Sequence, residues 1–223
     1  MPPSVALPCV LLTGFDAFGD ALQGGPPLNP SWLAVQALHG QTIAGHQVVA
    51  AQLPTVFQTS RTELLGLLAE HKPALVICTG QAGGRSALSL ERVAININDA
   101  RIPDNAGRQP VDVPVIAKGP SAYFTTLPIK AMLQALQSAG LPAEVSQTAG
   151  TFVCNHVFYA LMHALAESRR NGRVRGGFMH VPWLPEQGVP SLALEEMVRG
   201  LRLAIATALV TPVDFAKSAG AES

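Results

Sequence analysis

The sequence predicts a single α/β domain with a largely parallel sheet held between helix layers. Three observations predict it. Short runs such as residues 74–79 (ALVICT) are apolar at every position rather than at alternate ones, as in strands covered on both faces. Segments of helical periodicity separate these runs along the chain. The 223 residues suffice for one sizeable core and contain no repeat, low-complexity stretch or dividing linker. Residues 1–223 therefore read as one domain, with a polar tail after about residue 212.

Residues 10–14 (VLLTG) form the first buried strand, ending in a glycine turn. Residues 19–30 hold three glycines and three prolines and read as a loop. Asn29-Pro30-Ser31 opens a helix to about Leu38, with proline in the first turn. A second strand follows at 47–53, and a helix at 59–70 puts Leu64, Leu65, Leu67 and Leu68 on a broad apolar face. The 74–79 strand stops at Gly80. Residues 91–97 read as another strand, followed by a polar, proline-containing segment to about 120. A helix over 121–137 is stopped by Gly140-Leu141-Pro142, and 144–147 is a short strand. Residues 155–167 are helical, 174–181 form a strand and 194–209 the last helix.

Composition excludes several function classes. Fifteen Lys and Arg balance fifteen Asp and Glu, which is no electrostatic footprint for nucleic acid. The arginines of the 169–175 run read as a solvated turn. No basic n-region and apolar core mark the N-terminus as a signal peptide, and residues 201–210 are too short to span a bilayer, so a cytoplasmic location is expected. Three widely spaced cysteines without a CxxC fit reduced thiols rather than a disulfide framework or zinc site. Neither GxxxxGK[ST], GxGxxG nor HExxH occurs, so no nucleotide, metal or other cofactor is expected. Charged residues make up only 13%, which is low for a monomer and points to surface buried between subunits.

Among the cysteines, Cys9 and Cys78 lie in buried strands, where the side chain serves as a small hydrophobe. Cys154 stands where a loop gives way to a helix, in Thr151-Phe152-Val153-Cys154-Asn155-His156. The free N–H groups and positive dipole end there favour a thiolate and could hold an oxyanion. Such a nucleophile needs a histidine. Of the six, His156 points away from Cys154 at that helical offset. His180 ends the strand Gly176-Gly177-Phe178-Met179-His180 and is the best placed, because strand carboxyl ends line the crevice of parallel sheets. A third group would orient the imidazole. Glu91, after the loop Gly80-Gln81-Ala82-Gly83-Gly84-Arg85, is a candidate; a surface pair with Arg85 or Arg92 is the alternative.

These residues fall in blocks that resemble the pyroglutamyl peptidase I (pyrrolidone-carboxylate peptidase) family of cysteine peptidases. The blocks include Leu12-Thr13-Gly14-Phe15-Asp16, Asn29-Pro30-Ser31-Trp32, Gly80 to Arg85, Glu91-Arg92-Val93-Ala94-Ile95-Asn96, Ala100-Arg101-Ile102-Pro103-Asp104-Asn105, Thr148 to His156 and His180-Val181-Pro182. They run in family order to about residue 210. The resemblance implies a twisted three-layer α/β/α sandwich like that of purine nucleoside phosphorylases, and a Glu91–Cys154–His180 triad. It implies that Phe15, Phe18, Gln81, Ile102 and Phe152 bind the pyroglutamyl ring, with Arg101 near the oxyanion, and that the chain forms a homotetramer or homodimer. The chain departs from the family in Ala17-Phe18-Gly19-Asp20 and in the extra stretch 21–27, which bears on the wall contributed by Phe18. A phosphorylase and a non-catalytic binder are the rival readings; the first leaves Cys154 idle and the second leaves the triad unexplained.

Overall fold

The computed structural model describes residues 7–19, 28–168 and 174–220. The 21–27 stretch and most of the arginine run from 169 lie outside the described residues. Nine strands and five helices occur among the described residues: β1 (Cys9–Phe15), α1 (Pro30–Gln36), β2 (Thr42–Ile43), β3 (His46–Leu53), α2 (Phe57–His71), β4 (Leu75–Gln81), β5 (Leu88–Glu91), β6 (Val93–Ile95), β7 (Ala122–Phe124), α3 (Ile129–Ser138), β8 (Ala143–Ser146), α4 (Val153–Glu167), β9 (Arg175–Val181) and α5 (Leu194–Val210).

The main sheet has the order β2-β3-β1-β4-β9-β5-β8. Pairs β1–β3, β1–β4, β4–β9 and β5–β8 are parallel, whereas β2–β3 and β5–β9 are antiparallel. Side chains of a strand alternate between faces, and the core divides accordingly. Val10, Leu12, Leu75, Ile77, Leu88, Leu90, Met179 and Val181 join α1, α3 and α5 in one apolar layer. Leu11, Val76, Cys78 and Phe178 join α2 and α4 in the other. Continuous apolar runs were needed because both layers draw on the same strands. The sheet between two helix layers agrees with the predicted class.

That alternation also positions polar groups. By strand parity Gly80, His180 and Glu91 share the face of Cys78 and Phe178, toward α4. At β1's end, Gly14 admits the first turn of α1: a Cβ there would lie 2.6 Å from Trp32 Cα. Asn29 caps α1, its Oδ1 accepting from the Ser31 N–H at 3.0 Å while its Nδ2 donates to Asp16 O at 2.8 Å.

Three elements differ from expectation. The 121–137 segment is a strand, β7, followed by a helix that begins only at Ile129. Pro128 holds the preceding Leu127 out of helical geometry, and Thr125 and Thr126 are β-branched. The 91–97 strand is two strands: β5 ends at Glu91 in the main sheet, and β6 pairs with β7 in a separate ribbon. Leu65 is 38% exposed, so the apolar face of α2 is narrower than four adjacent leucines suggest. Arg175, the end of the arginine run, is no solvated turn residue: its guanidinium donates to the Ala208 and Thr211 carbonyls at the end of α5.

Candidate active site

Helix α4 begins at Val153, which puts Cys154 in its first turn rather than just before it. Phe152 at the N-cap makes no side-chain cap bond, and the first intrahelical bond runs from the His156 N–H to Phe152 O at 3.1 Å. The N–H groups of Val153, Cys154 and Asn155 therefore have no intrahelical partner. Asn155 clamps the helix to β6: its Oδ1 accepts from the Ile95 N–H at 3.0 Å, and its Nδ2 donates to the carbonyls of Ile95 and Ile97. His156 bonds Asn98 Oδ1 through Nδ1 at 3.1 Å and takes no part in the Cys154 cluster.

The sulfur of Cys154 lies over Gly80 on β4. A Cβ on Gly80 would stand 2.6 Å from that sulfur and 3.0 Å from the Phe178 ring, so only glycine leaves room for the thiol. Gly80 is paired in register with His180 on β9, one strand spacing away. His180 is 4% exposed, with its ring 4.9 Å from that of Phe178. Its Nδ1 lies 2.7 Å from Oε1 of Glu91, which is fully buried. Because that oxygen is a carboxylate acceptor, the neutral imidazole carries its proton on Nδ1 and keeps the Nε2 lone pair free. Glu91 reaches His180 from the antiparallel strand β5, not from a parallel carboxyl end. The surface-pair alternative fails because the carboxylate is inside. Arg85 still binds it, Nη1 to Oε1 at 2.7 Å, and its Nη2 donates to Thr148 O at 3.0 Å.

Burial is the largest single influence on each of the three groups, and it sets the direction for Cys154 and His180 but not for Glu91. Desolvation alone would raise the Glu91 carboxyl, but hydrogen bonds and charge from His180, with Arg85, hold it below its ordinary value. Burial lowers His180 below an ordinary histidine; Glu91 opposes this and Arg85 adds to it. Cys154 is pushed up to about 12, by burial first and then by the Glu91 carboxylate, with Arg85 acting in the opposite sense. The expected resting thiolate is thus corrected. Burial and the Glu91 carboxylate oppose ionisation of the sulfur, and at neutral pH the site holds a thiol, a neutral imidazole and a carboxylate. Cys154 as a whole residue is half-buried.

The predicted ring-binding residues divide into groups. Phe18 and Phe152 are close, with ring centroids 6.0 Å apart. Arg101, Ile102 and Phe152, with Asp99, Gly150 and Thr151, line a pocket of about 310 Å³ beside the start of α4. Phe15 is 2% exposed and belongs to the apolar cluster on which Phe152 and Cys154 rest, so it backs the site rather than opening onto it. Gln81 stands apart by strand parity, its Oε1 accepting from Gln187 Nε2 at 3.2 Å.

Three residues escaped sequence reasoning. Phe57 packs edge-on against Phe152, with centroids 5.4 Å apart. Asp104 accepts from the N–H groups of Phe57, Ala106 and Arg108. Asp16 accepts from the Thr55 N–H at 2.7 Å and from Asn105, whose Nδ2 also reaches Ala17 O. These bonds tie the loop bearing Arg101 and Ile102 to the loop bearing Phe18. The quoted Asp104-Asn105 and Asp16 positions carried the signal, but a brace between distant loops has no local pattern. A cavity of about 770 Å³ lined in part by Phe57 and His156 includes no member of the Cys154–His180–Glu91 group.

A thiol beside an imidazole backed by a carboxylate, on a sheet between helix layers, is the equipment of a cysteine-dependent acyl-transfer hydrolase. The profile of the pyroglutamyl peptidase family matches residues 9–211. A pyrrolidone-carboxylate peptidase of Cupriavidus taiwanensis is 57% identical over 219 residues, covering 96% of this chain and 99% of the relative. The crystal structure of pyroglutamyl peptidase I from Bacillus amyloliquefaciens superposes with a TM-score of 0.89 at 46% identity, covering 96% of this chain and all of that one. The pyrrolidone carboxyl peptidase of the hyperthermophile Pyrococcus furiosus gives 0.85 at 38% identity, with 92% and 99% covered. This chain belongs to the pyroglutamyl peptidase family of cysteine peptidases.

Proposed function

We propose that the chain removes an N-terminal pyroglutamyl residue from peptides, with Cys154 as nucleophile, His180 as general base and acid, and Glu91 orienting His180. The observation that carries this reading is the 2.7 Å Glu91–His180 bond beside a thiol seated over Gly80. As the sulfur attacks the pyroglutamyl carbonyl, His180 Nε2 takes the thiol proton. A neutral base is required for this, because the resting thiol is protonated. The unpaired N–H groups of the first α4 turn stabilise the oxyanion. The imidazolium then gives its proton to the leaving amine, which departs as the thioester forms. Water, deprotonated by His180, cleaves that thioester and releases pyroglutamate with the free thiol.

Phe18, Phe152 and Ile102 offer the lactam a flat apolar slot, with Arg101 at its edge. Pyroglutamate carries no ammonium group, whereas an open N-terminus would bring a charge into this slot at an effective desolvation cost of several kcal/mol. Cys154→Ser should abolish release of the amine from a fluorogenic pyroglutamyl amide while the melting curve stays near wild type. Full turnover by that variant would end the reading. A cytoplasmic location is proposed on the three free cysteines. Among the described residues, no helix is long and apolar enough to cross a membrane. Assembly as a homodimer or homotetramer is proposed on the low charge content and on exposed Phe124 and Val213; sedimentation velocity reads it directly.

A further inference from the structure

We propose that Arg85 is a positioning residue of the reaction: its guanidinium fixes the Glu91 carboxylate and supplies the countercharge that keeps His180 an uncharged base. This inference rests on the Cys154–His180–Glu91 reading. Arg85 and His180 share one carboxylate oxygen, each at 2.7 Å from Oε1. The other, Oε2, is buried without a hydrogen-bond partner among the described residues. Ser146 stands opposite Glu91 in the β5–β8 register but donates its hydroxyl to Thr148 O at 3.0 Å. Arg85 and His180 are thus the two donors on Oε1, with Ser146 a third side chain that lowers the carboxyl. The second arm of Arg85 reaches the same Thr148 carbonyl, at the start of the segment that leads through Gly150 to Cys154. One side chain thus joins the glycine-rich loop after β4, the carboxylate on β5 and the approach to the nucleophile.

The charge ledger gives Arg85 a second role. The ionisable groups acting on His180 are Glu91 on β5 and Arg85 on the preceding loop; Cys154 on α4 responds to these two and to Cys78 on β4. Glu91 without a counterion would draw a proton onto His180 and oppose ionisation of Cys154. Arg85 acts against both tendencies. Its side chain is 25% exposed, so solvent moderates the effect, while the carboxylate it holds is fully buried.

The test is the pH dependence of kcat/KM on a fluorogenic pyroglutamyl amide for wild type, Arg85→Met and Arg85→Lys, with Cys154→Ser in parallel. The acid limb of wild type should fall below the ordinary histidine value. In Arg85→Met it should move to higher pH. Arg85→Lys, which keeps the charge, should return the limb toward wild type even if its rate stays low. Arg85→Met should also slow alkylation of Cys154 by iodoacetamide at fixed neutral pH. If Arg85→Met fails to fold, Arg85→Lys and Arg85→Gln measured against each other give the same comparison of charge. A lower rate with an unmoved limb means a merely structural role and overturns the proposal. Because Cys154→Ser reports separately on the nucleophile, its activity would remove the triad reading, whereas an inert Cys154→Ser with an unshifted Arg85 variant removes only this inference.

Discussion

Gly80→Ala tests the geometry of the site without replacing any reacting side chain. The added methyl would lie 2.6 Å from Cys154 Sγ and 3.0 Å from the Phe178 ring, whereas ordinary contact begins at 3.4 Å. The sulfur must therefore retreat by roughly 0.8 Å, or Phe178 must move and disturb His180 behind it. Displacements near 1 Å in a positioned nucleophile cost about 100-fold in rate. Overpacking at a buried site should lower stability by about 1–3 kcal/mol. The assay is kcat/KM on a fluorogenic pyroglutamyl amide, paired with a urea titration and the rate of Cys154 alkylation. Gly66→Ala is the control: nothing lies within 4 Å of its added methyl, and it sits inside α2. There alanine should leave activity unchanged and raise stability by up to about 1 kcal/mol. A folded Gly80→Ala enzyme working near the wild-type rate would refute the placement of the thiol over Gly80.

Other perturbations separate the roles further. His180→Ala should lower kcat by about 10²–10⁴, the range general acid–base catalysis supplies, and Glu91→Gln should lower it less; equal losses would contradict the assignment of Glu91 to orientation alone. Alkaline stability follows from Cys78, which burial pushes up to about 12 from an ordinary 9.0. The folded chain keeps this proton to higher pH than the unfolded chain does. The contribution is whole below about 9 and lost as pH rises toward 12, amounting to about 4 kcal/mol across that window. Urea midpoints of wild type and Cys78→Ala should therefore fall with different slopes above pH 9, and parallel slopes would show that the thiol does not drive the loss. Phe57→Ala should raise KM for the pyroglutamyl amide by loosening Phe152, with kcat less affected; an unchanged KM would place Phe57 outside the pocket support.

The strands and the fold class were legible because burial on two faces writes itself into consecutive residues. Residues 74–79 have no polar face to reveal, and β4 sits at the centre of the sheet. Cys154 was legible for another reason, since a loop-to-helix junction is a local event. Its ionisation was not. The helix terminus is visible in sequence, but the desolvation that opposes a thiolate comes from β4, β9 and β5, brought together from distant parts of the chain. The same holds for Arg85, which lies six residues from Glu91 and invites reading as a surface pair. Only burial of the carboxylate turns that pair into part of the site. The 121–137 error is of a third kind, a proline boundary outvoted by apolar content.

A protonated resting thiol also bears on how the site guards itself. A free thiolate at a half-open surface would react with oxidants and stray electrophiles. On the proposed mechanism Cys154 stays neutral until a carbonyl is close enough to receive the sulfur's electrons while His180 takes its proton. The driving force must come from interactions formed only as the oxyanion develops, at the α4 N–H groups. On the same proposal, binding in the slot of Phe18, Ile102 and Phe152 must first bring the carbonyl to them. Selectivity for a closed, uncharged ring and protection of the thiol then have one physical origin: the desolvation that keeps the sulfur protonated also repels a charged N-terminus.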